Sequence, residues 1–354
     1  MNNLLDIYTD YLIIQNKYAT STGLSDLVNG SISHDKMTRF LNDRLLGSKE
    51  LWRYIKPEVR SAEREGGALI LDDSIEEKPY TDENEIMCWH YSHAKGMHVK
   101  GVNLLSCIVQ YEDTSLPIGY EIVHKDVSFS EIETKKVKRK SSVTKNEHFR
   151  NLISQAYSNK VLFGWVLADN WFGAKENLEY INNVIKKKFI IGIKSNRTVA
   201  LSENEKLKGD FTKVSKLDLE DGQSIKIWIK GIDFALQLIK KIFTNEDGST
   251  GVLYVISNDF EHDADYLYMI YQKRWKIELY HKSIKQNASL AASPTKRVIS
   301  QANHIFSSLV AFCKLELLKI KTATNHFAMK HLLLLKANQA AFLELNNLRN
   351  LHRA

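Results

Sequence analysis

The segment from Tyr271 to Lys285 carries side chains that could handle both metal ions and phosphate. Tyr271, Arg274, Glu278 and Lys285 follow one another at offsets of 0, 3, 7 and 14 residues. With about 3.6 residues per turn, a single helix would place all four within an arc of about 60°. Glu278 could then hold a metal ion while the other three side chains grip phosphate. A solvated helix face crossed by ion pairs is the ordinary alternative.

Two further acids follow apolar runs that have the pattern of strands buried on both faces. Asp72 comes directly after Ala68–Leu71, and Asp169 comes directly after the run 161–168. An ionised carboxylate is costly to bury in such a place unless it is paired or binds a metal. Either aspartate alone could be a turn or capping residue. Together with Glu278, the two predict an acidic triad.

The spacing Y-x2-R-x3-E-x6-K, preceded by these two aspartates, resembles the signature of bacterial insertion-sequence DDE transposases of the YREK-bearing, cut-and-paste group. The resemblance extends from Gly67 to about Leu318. It implies that Asp72, Asp169 and Glu278 are the catalytic residues and the ligands of two Mg²⁺ ions, which Mn²⁺ could replace. Cleavage of transposon ends and strand transfer, through a DNA hairpin, would be the activity that the resemblance implies.

The same resemblance implies which side chains hold DNA phosphates. Tyr271, Arg274 and Lys285 occupy the matching positions, and Lys194 and Arg197, just past an apolar strand, are further candidates. The implied partners are the transposon ends and the target DNA, with a homodimer in the synaptic complex. Trp228 lies in the region of the insertion, but no motif assigns it a role.

The first acid of the triad is ambiguous, because the sequence reads Asp72-Asp73-Ser74. Adjacent strand residues point to opposite faces, so only one of the two aspartates can face the metals. In the resembling transposases the first acid precedes a variable residue and then Ser or Thr. That order favours Asp72, with Asp73 as the other candidate.

The order of apolar and polar segments predicts a mixed α/β fold, with a ribonuclease-H-like sheet flanked by helices. A β-rich insertion would separate Asp169 from Glu278, and helices are expected over 173–186 and 261–287. The predicted organisation is as follows: a helical N-terminal region over 1–62, the first part of the catalytic domain over 63–194, the insertion over 195–250, the second part with the YREK helix over 251–318, and a helical tail over 319–354.

Both terminal regions have two open interpretations. Segment 35–46 could be the second helix of a helix-turn-helix unit that reads DNA ends, or an ordinary packing helix. In the tail, Leu332–Leu335 and Ala340–Leu348 are amphipathic enough to pack on the body of the protein or on a second subunit.

Composition suits a chain that acts on a polyanion. The 354 residues include 44% hydrophobic ones and carry a formal net charge of +7. The basic residues cluster in the runs 135–140 and 186–188, which predicts a basic face for DNA. With no signal peptide and no apolar run of about 20 residues, we expect a protein of the bacterial cytosol, associated with the nucleoid.

Cysteine usage gives little sign of a disulfide or zinc framework. The chain has three cysteines without CxxC spacing, which indicates a reducing compartment. Cys88, His90, His93 and His98 crowd together, but their spacing matches no familiar zinc pattern.

Two rival functions remain open. A ribonuclease-H-like, structure-specific nuclease would use the same metals without strand transfer, and the insertion would then be unexplained. An inactive DNA-binding inhibitor of transposition is the other rival, and the intact acids argue against it.

Overall fold

The structure, a computed structural model, describes residues 2–92, 95–132, 135, 137–245 and 247–351. It divides into two compact units, and each unit is built from segments that are not contiguous in the sequence. The first unit contains Met1–Ile55, Ile75–Val102 and Leu279–Ala354; the second contains Lys56–Ser74 and Asn103–Glu278.

The described residues form eleven α-helices and thirteen strands. The helices are α1 (Asn2–Ile14), α2 (Ser21–Leu27), α3 (His34–Asn42), α4 (Ser48–Ala62), α5 (Lys145–Ser158), α6 (Lys175–Glu179), α7 (Glu203–Lys208), α8 (Ala264–Gln272), α9 (Trp275–Gln286), α10 (Val298–Thr322) and α11 (His326–Leu351). The strands are β1 (Ala68–Glu77), β2 (Cys88–Ser92), β3 (Met97–Tyr111), β4 (Thr114–Ile122), β5 (Val127–Ser130), β6 (Val137–Lys140), β7 (Trp165–Ala168), β8 (Lys188–Gly192), β9 (Thr198–Ala200), β10 (Thr212–Lys213), β11 (Ser224–Ile229), β12 (Leu236–Thr244) and β13 (Thr250–Ser257).

A mixed sheet forms the centre of the second unit. Its strand order is β10-β9-β11-β12-β13-β8-β7-β1-β3, and β4 pairs with β3. The strands β1, β7 and β8 run parallel, whereas β4 and β13 pair antiparallel to their neighbours β3 and β8. The central strands are buried along the apolar runs seen in the sequence. This mixed sheet with flanking helices confirms the predicted fold class, which is consistent with a ribonuclease-H-like fold.

The β-rich insertion continues this sheet. Strand β12 pairs antiparallel with β13 along nearly its whole length, from Gln237 opposite Ser257 to Thr244 opposite Thr250. Strand β11 then pairs with β12, and β9 with β11. The backbone groups of the insertion are therefore satisfied by the ladder that begins at the parallel core.

The expected single helix over 261–287 is wrong, because the structure has two helices there. Asp263 caps α8, its side chain accepting the N–H of Tyr266. At the junction, the N–H groups of Lys273 and Arg274 donate to carbonyls three residues back, at 3.1 and 2.9 Å. Such bonds are those of a tighter 3₁₀ turn, so the α-helical ladder is interrupted at Arg274 and the stripe read from a continuous helix is broken there.

The helix expected over 173–186 is also different in detail. A 3₁₀ turn covers Asn170–Phe172, α6 covers only Lys175–Glu179, and a π-helical segment continues to Ile185. Lys186 ends it with a left-handed backbone, φ 55°. The general position of a helix after the second aspartate is thus confirmed, and its regular α geometry is not.

Helices dominate the first unit, as predicted for both ends of the chain. Buried polar contacts join them: the Tyr8 hydroxyl lies 2.9 Å from His304 Nδ1, and the Asn303 amide donates to the carbonyls of Leu41 and Arg44. Met37 on α3 is fully buried. This packing is compatible with both interpretations of segment 35–46.

The C-terminal helix α11 exposes much of its apolar surface. Leu332, Leu335, Phe342 and Leu343 are all more than two-fifths exposed. Packing of these side chains on the body of the protein is therefore not observed. Among the helices of the described residues, none is both long enough and apolar enough to cross a membrane.

Candidate active site

Asp72 and Asp169 each follow the last residue pair of the parallel ladder between β1 and β7. Asp169 comes directly after β7, whereas Asp72 lies inside β1, which continues to Glu77 and does not end at Leu71 as the apolar run predicts. The residues directly before them, Leu71 and Ala168, are paired across β1 and β7. Asp169 is held by the turn that it begins, since its Oδ1 accepts the backbone N–H of Trp171 at 3.0 Å. Parallel pairing thus brings together two acids that are 97 residues apart in the sequence.

Arg274 connects the first aspartate to the glutamate. Its Nη1 lies 3.7 Å from Asp72 Oδ2 and 3.4 Å from Glu278 Oε1. Carboxylate oxygens of Asp72 and Glu278 lie within 4.8 Å of each other. The two acids are therefore close enough to share a ligand, with one guanidinium between them.

The electrostatics of the cluster favour a bound cation. Burial, together with the charges of Asp169, Asp73 and Glu278, raises the pKa of Asp72 to about 8, although Arg274 lowers it. Burial also raises the pKa of Asp169 above its usual range, against the hydrogen bond from Trp171 N–H. One arginine does not offset this negative charge. All-oxygen carboxylate ligands of this kind suit a hard divalent cation.

The buried ring of Tyr271 packs beside the guanidinium of Arg274. The Tyr271 side chain is only 4% exposed, and the Arg274 Cζ atom lies 5.8 Å from its ring centroid. Burial raises the pKa of Tyr271 to about 12, so the phenol stays protonated at neutral pH. The Trp275 ring lies 5.1 Å from the same Cζ. Arg274 Nε is buried and has no hydrogen-bond partner among the described residues.

Asp73 is engaged elsewhere. Its Oδ2 accepts hydrogen bonds from Asn103 Nδ2 at 2.7 Å and from Lys145 Nζ at 2.9 Å. The Lys145 amine also lies 4.4 Å above the ring of Trp171. Asp73 is therefore neutralised by a lysine, whereas Asp72 lies beside Glu278. This geometry supports the choice of Asp72.

Sequence reasoning missed Asn103 and Lys145. The signal for Asn103 is a polar residue between the apolar Val102 and Leu104 of β3, where it is 1% exposed. Lys145 has a weaker signal: it is the first residue of α5, whose start is marked by the capping box of Thr144 and Glu147.

The remaining predicted phosphate ligands lie in different parts of the chain. Lys285 belongs to the first unit, where its Nζ donates to the Ile75 carbonyl at 3.1 Å and lies 3.8 Å from Glu76. Lys194 and Arg197 lie in the turn between β8 and β9, and Lys194 is exposed. Their contact with DNA stays a prediction.

Comparison with known families decides the class of protein. Residues 2–209 match the family described as DDE superfamily endonuclease, and residues 128–313 match the family described as Transposase DDE domain. Each match spans more than half of the chain. The chain is a DDE transposase. Proteins of these families are nucleases or phosphoryl-transfer enzymes that act on DNA with divalent metals.

Other comparisons add nothing to this assignment. No match was found among curated proteins. Among solved structures, the transposase is similar to Argonaute of Kluyveromyces polysporus with a guide RNA, at 14% identity and a TM-score of 0.23. The similarity covers 71% of the transposase and only 30% of the Argonaute chain. At this TM-score it carries no argument about fold or function.

A second acidic group of the transposase is already paired with a lysine side chain of the protein. Asp259, Glu261 and His262 lie close enough together to ligate a metal. The Lys188 amine, however, lies 3.1 Å from Asp259 Oδ1 and pairs with Glu261, while His262 Nδ1 lies 2.6 Å from Asp259 Oδ2. This network fastens the start of β8 to the end of β13.

The basic runs are partly engaged in such contacts. Lys188 is paired as described, Lys138 pairs with Glu131, and the Lys140 amine lies 5.8 Å from the ring of Phe129. Lys136 lies outside the described residues.

The cysteine–histidine group is divided between two faces of the hairpin β2–β3. Cys88 and His90 are buried on one face. His98 pairs with Tyr91 on the other face, with ring centroids 5.3 Å apart. His93 lies outside the described residues.

Proposed function

We propose that the transposase cleaves the ends of an insertion sequence and joins them to target DNA, by a cut-and-paste route. The observation that supports this most directly is the position of Arg274 between Asp72 and Glu278, where the pairing of β1 with β7 ends and Asp169 follows β7. Cleavage at an end exposes a 3′-hydroxyl, and joining uses that hydroxyl to attack a second phosphodiester. Both steps are displacements at phosphorus, so one acidic site can serve both.

We propose Asp72, Asp169 and Glu278 as the ligands of two Mg²⁺ ions, for which Mn²⁺ could substitute. Their carboxylates fit hard divalent cations, and the raised pKa of Asp72 reflects its burial together with the charges of the neighbouring carboxylates. When bound, such ions activate the attacking oxygen and stabilise the leaving one. The acids themselves fix where the scissile phosphate must lie.

Arg274 is the proposed clamp for a non-bridging oxygen of that phosphate. Its planar fork can bind two oxygens at once, and its buried Nε is an unused donor among the described residues. Tyr271, buried under the guanidinium, is proposed to act mainly by holding Arg274 in place. Lys285, Lys194 and Arg197 are proposed to contact the DNA backbone further along.

The regions of the chain receive proposed roles from this arrangement. Residues 63–194 and 251–318 would supply the catalytic parts, and 195–250 would extend the DNA-facing sheet. The helical segments 1–62 and 319–354 would contribute end binding and contacts between two subunits in a synaptic dimer.

The test is end cleavage in vitro. Purified protein is incubated with Mg²⁺ and the DNA that flanks its gene, and the products are separated to detect cut ends and joined molecules. We expect both products with wild type, and neither with a chelator or with Glu278→Gln. The matched control is Glu261→Gln, which changes an exposed carboxylate paired with Lys188 and should leave cleavage unchanged. Cut ends without joined molecules would reduce the proposal to a nuclease.

A further inference from the structure

A cavity of about 510 Å³ lies in the first unit, between the loop that joins α1 to α2 and the end of α9. Residues 15–18 form one wall, and Lys285 and Gln286 form the other, with the turn that begins at Ser289 between them. The volume is within the range of about 300–1,000 Å³ that is usual for small-molecule sites. We call it the Tyr18 cavity.

Hydrogen bonds fix the loop that forms the first wall. The Ala19 N–H donates to the Ala292 carbonyl at 2.8 Å, and the Lys330 amine donates to the Gln15 carbonyl at 2.6 Å. The Gln15 side chain in turn accepts the backbone N–H of Lys17 at 3.1 Å. The loop is thus held in place by its own surroundings, so a ligand would not have to order it on binding.

The polar side chains that line the Tyr18 cavity carry two amines, a phenol, three amides and a hydroxyl. Tyr18 is 68% exposed, although its neighbours Ala19 and Leu12 are buried. Lys17 is exposed, and the half-buried Lys285 has its amine 3.1 Å from the Ile75 carbonyl. Within the described part of the chain, no carboxylate lines the cavity. This set favours an anionic ligand with a flat ring.

Each of these groups matches one part of a nucleotide. Ammonium groups such as those of Lys17 and Lys285 bind phosphate as point charges. An exposed tyrosine ring provides a surface on which any base can stack. Asn16 and Gln286 carry both a donor and an acceptor, which suit the edge of a base. A phosphate alone would leave the Tyr18 ring without a contact, and an apolar ligand would leave the exposed Lys17 amine without one; the Lys285 amine already donates to the Ile75 carbonyl and lies 3.8 Å from Glu76.

We propose that the Tyr18 cavity binds an unpaired nucleotide of the DNA strand held by α9, with its phosphate against Lys17 and Lys285 and its base on Tyr18. The inference rests on the proposed function, because Lys285 follows Glu278 by seven residues in α9. It gives the loop between α1 and α2 a part in DNA binding that is separate from the exposed face of α3.

The test uses full-length protein and a DNA duplex with a short single-stranded extension, in which a fluorescent purine analogue replaces one unpaired base. Stacking on Tyr18 should quench the fluorescence of the wild-type complex. Tyr18→Ala should abolish the quenching and weaken binding of the extended duplex about 5- to 100-fold, the usual range for one base–aromatic stack. Tyr18→Phe should retain both properties. Tyr80→Ala, a change at a tyrosine that is 97% exposed in the same unit, is the matched control and should behave as wild type.

Further arms identify the occupant. Lys17→Ala should lower the slope of log affinity against log salt by about 1 on the extended duplex. A blunt duplex should bind Tyr18→Ala and wild type equally. Free mononucleotide that competes with the extended duplex through Tyr18 would overturn the assignment to a DNA strand. Wild type could cut transposon ends while Tyr18→Ala still quenches the fluorescent base and binds the extended duplex as wild type does; this inference would then fail and the proposed function would stand. If wild type neither binds nor cuts DNA, both fail.

Discussion

The neighbouring acids Asp72 and Asp73 should respond to the same substitution with opposite changes in stability. The pKa of Asp72 is 3.8 in an unfolded chain and about 8 in the fold. Because the folded-state value is the higher one, the fold takes up a proton and loses stability as pH rises from about 4 to about 8. Asp72→Asn keeps the size and shape of the side chain but cannot ionise, so this loss of stability with rising pH is removed. The substitution should therefore stabilise the metal-free protein at pH 7.

The size of the effect follows from the same two pKa values. At pH 7 the solution is about 3 pH units above the unfolded-state pKa of Asp72, which is 3.8. At about 1.36 kcal/mol per unit, the largest possible gain in the free energy of unfolding for Asp72→Asn is about 4 kcal/mol. The Asp72 side chain is 14% exposed, so solvent relieves part of this. We expect a gain on the order of 2 kcal/mol in the free energy of unfolding.

Asp73→Asn should do the reverse. It removes the carboxylate that accepts hydrogen bonds from Lys145 and Asn103, and a part-buried amine without its partner costs about 1–3 kcal/mol. Cleavage should follow the other order, because Asp72→Asn removes a proposed metal ligand and Asp73→Asn does not.

The assay is urea unfolding with a chelator present, at several pH values between 4 and 8, followed by the same curves with Mg²⁺. Wild type should lose stability with rising pH in the chelator and regain it with Mg²⁺. Asp72→Asn should lose less, because of Asp72 and Asp169 only Asp169 then keeps a raised pKa, and it should regain less with Mg²⁺. If Asp72→Asn is less stable than wild type at pH 7 in the chelator, the account of the acidic cluster is wrong. If Asp73→Asn is inactive but as stable as wild type, Asp73 is the metal ligand.

Three further substitutions and the salt dependence of DNA binding test the site. Glu278→Gln should abolish cleavage, a larger effect than the loss of about 10- to 100-fold that is typical when a residue that only orients a metal ligand is replaced. DNA binding in a mobility-shift assay should stay intact or become slightly tighter. Arg274→Lys should slow cleavage by about 100-fold, since a point charge does not replace a bidentate fork; a rate near wild type would exclude the clamp. Gly192→Ala should reduce activity by displacing the turn after Asp169, because a Cβ there would lie 2.8 Å from the Asn170 backbone nitrogen; unchanged cleavage would contradict this. Affinity for DNA should fall with salt at a slope of about −0.9 per neutralised phosphate, and salt-independent binding would rule out a basic face.

Local sequence signals were sufficient to place the two strands that lead to the aspartates. The runs that end at Leu71 and Ala168 are apolar without polar alternation, which is the pattern of strands buried on both faces, and they pair in parallel. Strand β7 ends at Ala168 as this pattern predicts, whereas β1 continues through Asp72 to Glu77. The family resemblance added the glutamate, and the matches over 2–209 and 128–313 confirm the family.

Only the tertiary structure decided the contacts made across long separations. The choice between Asp72 and Asp73 depends on Asn103 and Lys145, which lie 30 and 72 residues from Asp73 and have no common sequence pattern. The break in the helix at Arg274 places the guanidinium between two carboxylates, a position that a continuous 3.6-residue repeat does not predict. Periodicity reports which face of an element is buried, whereas strand pairing and side-chain packing determine which buried charge meets which partner.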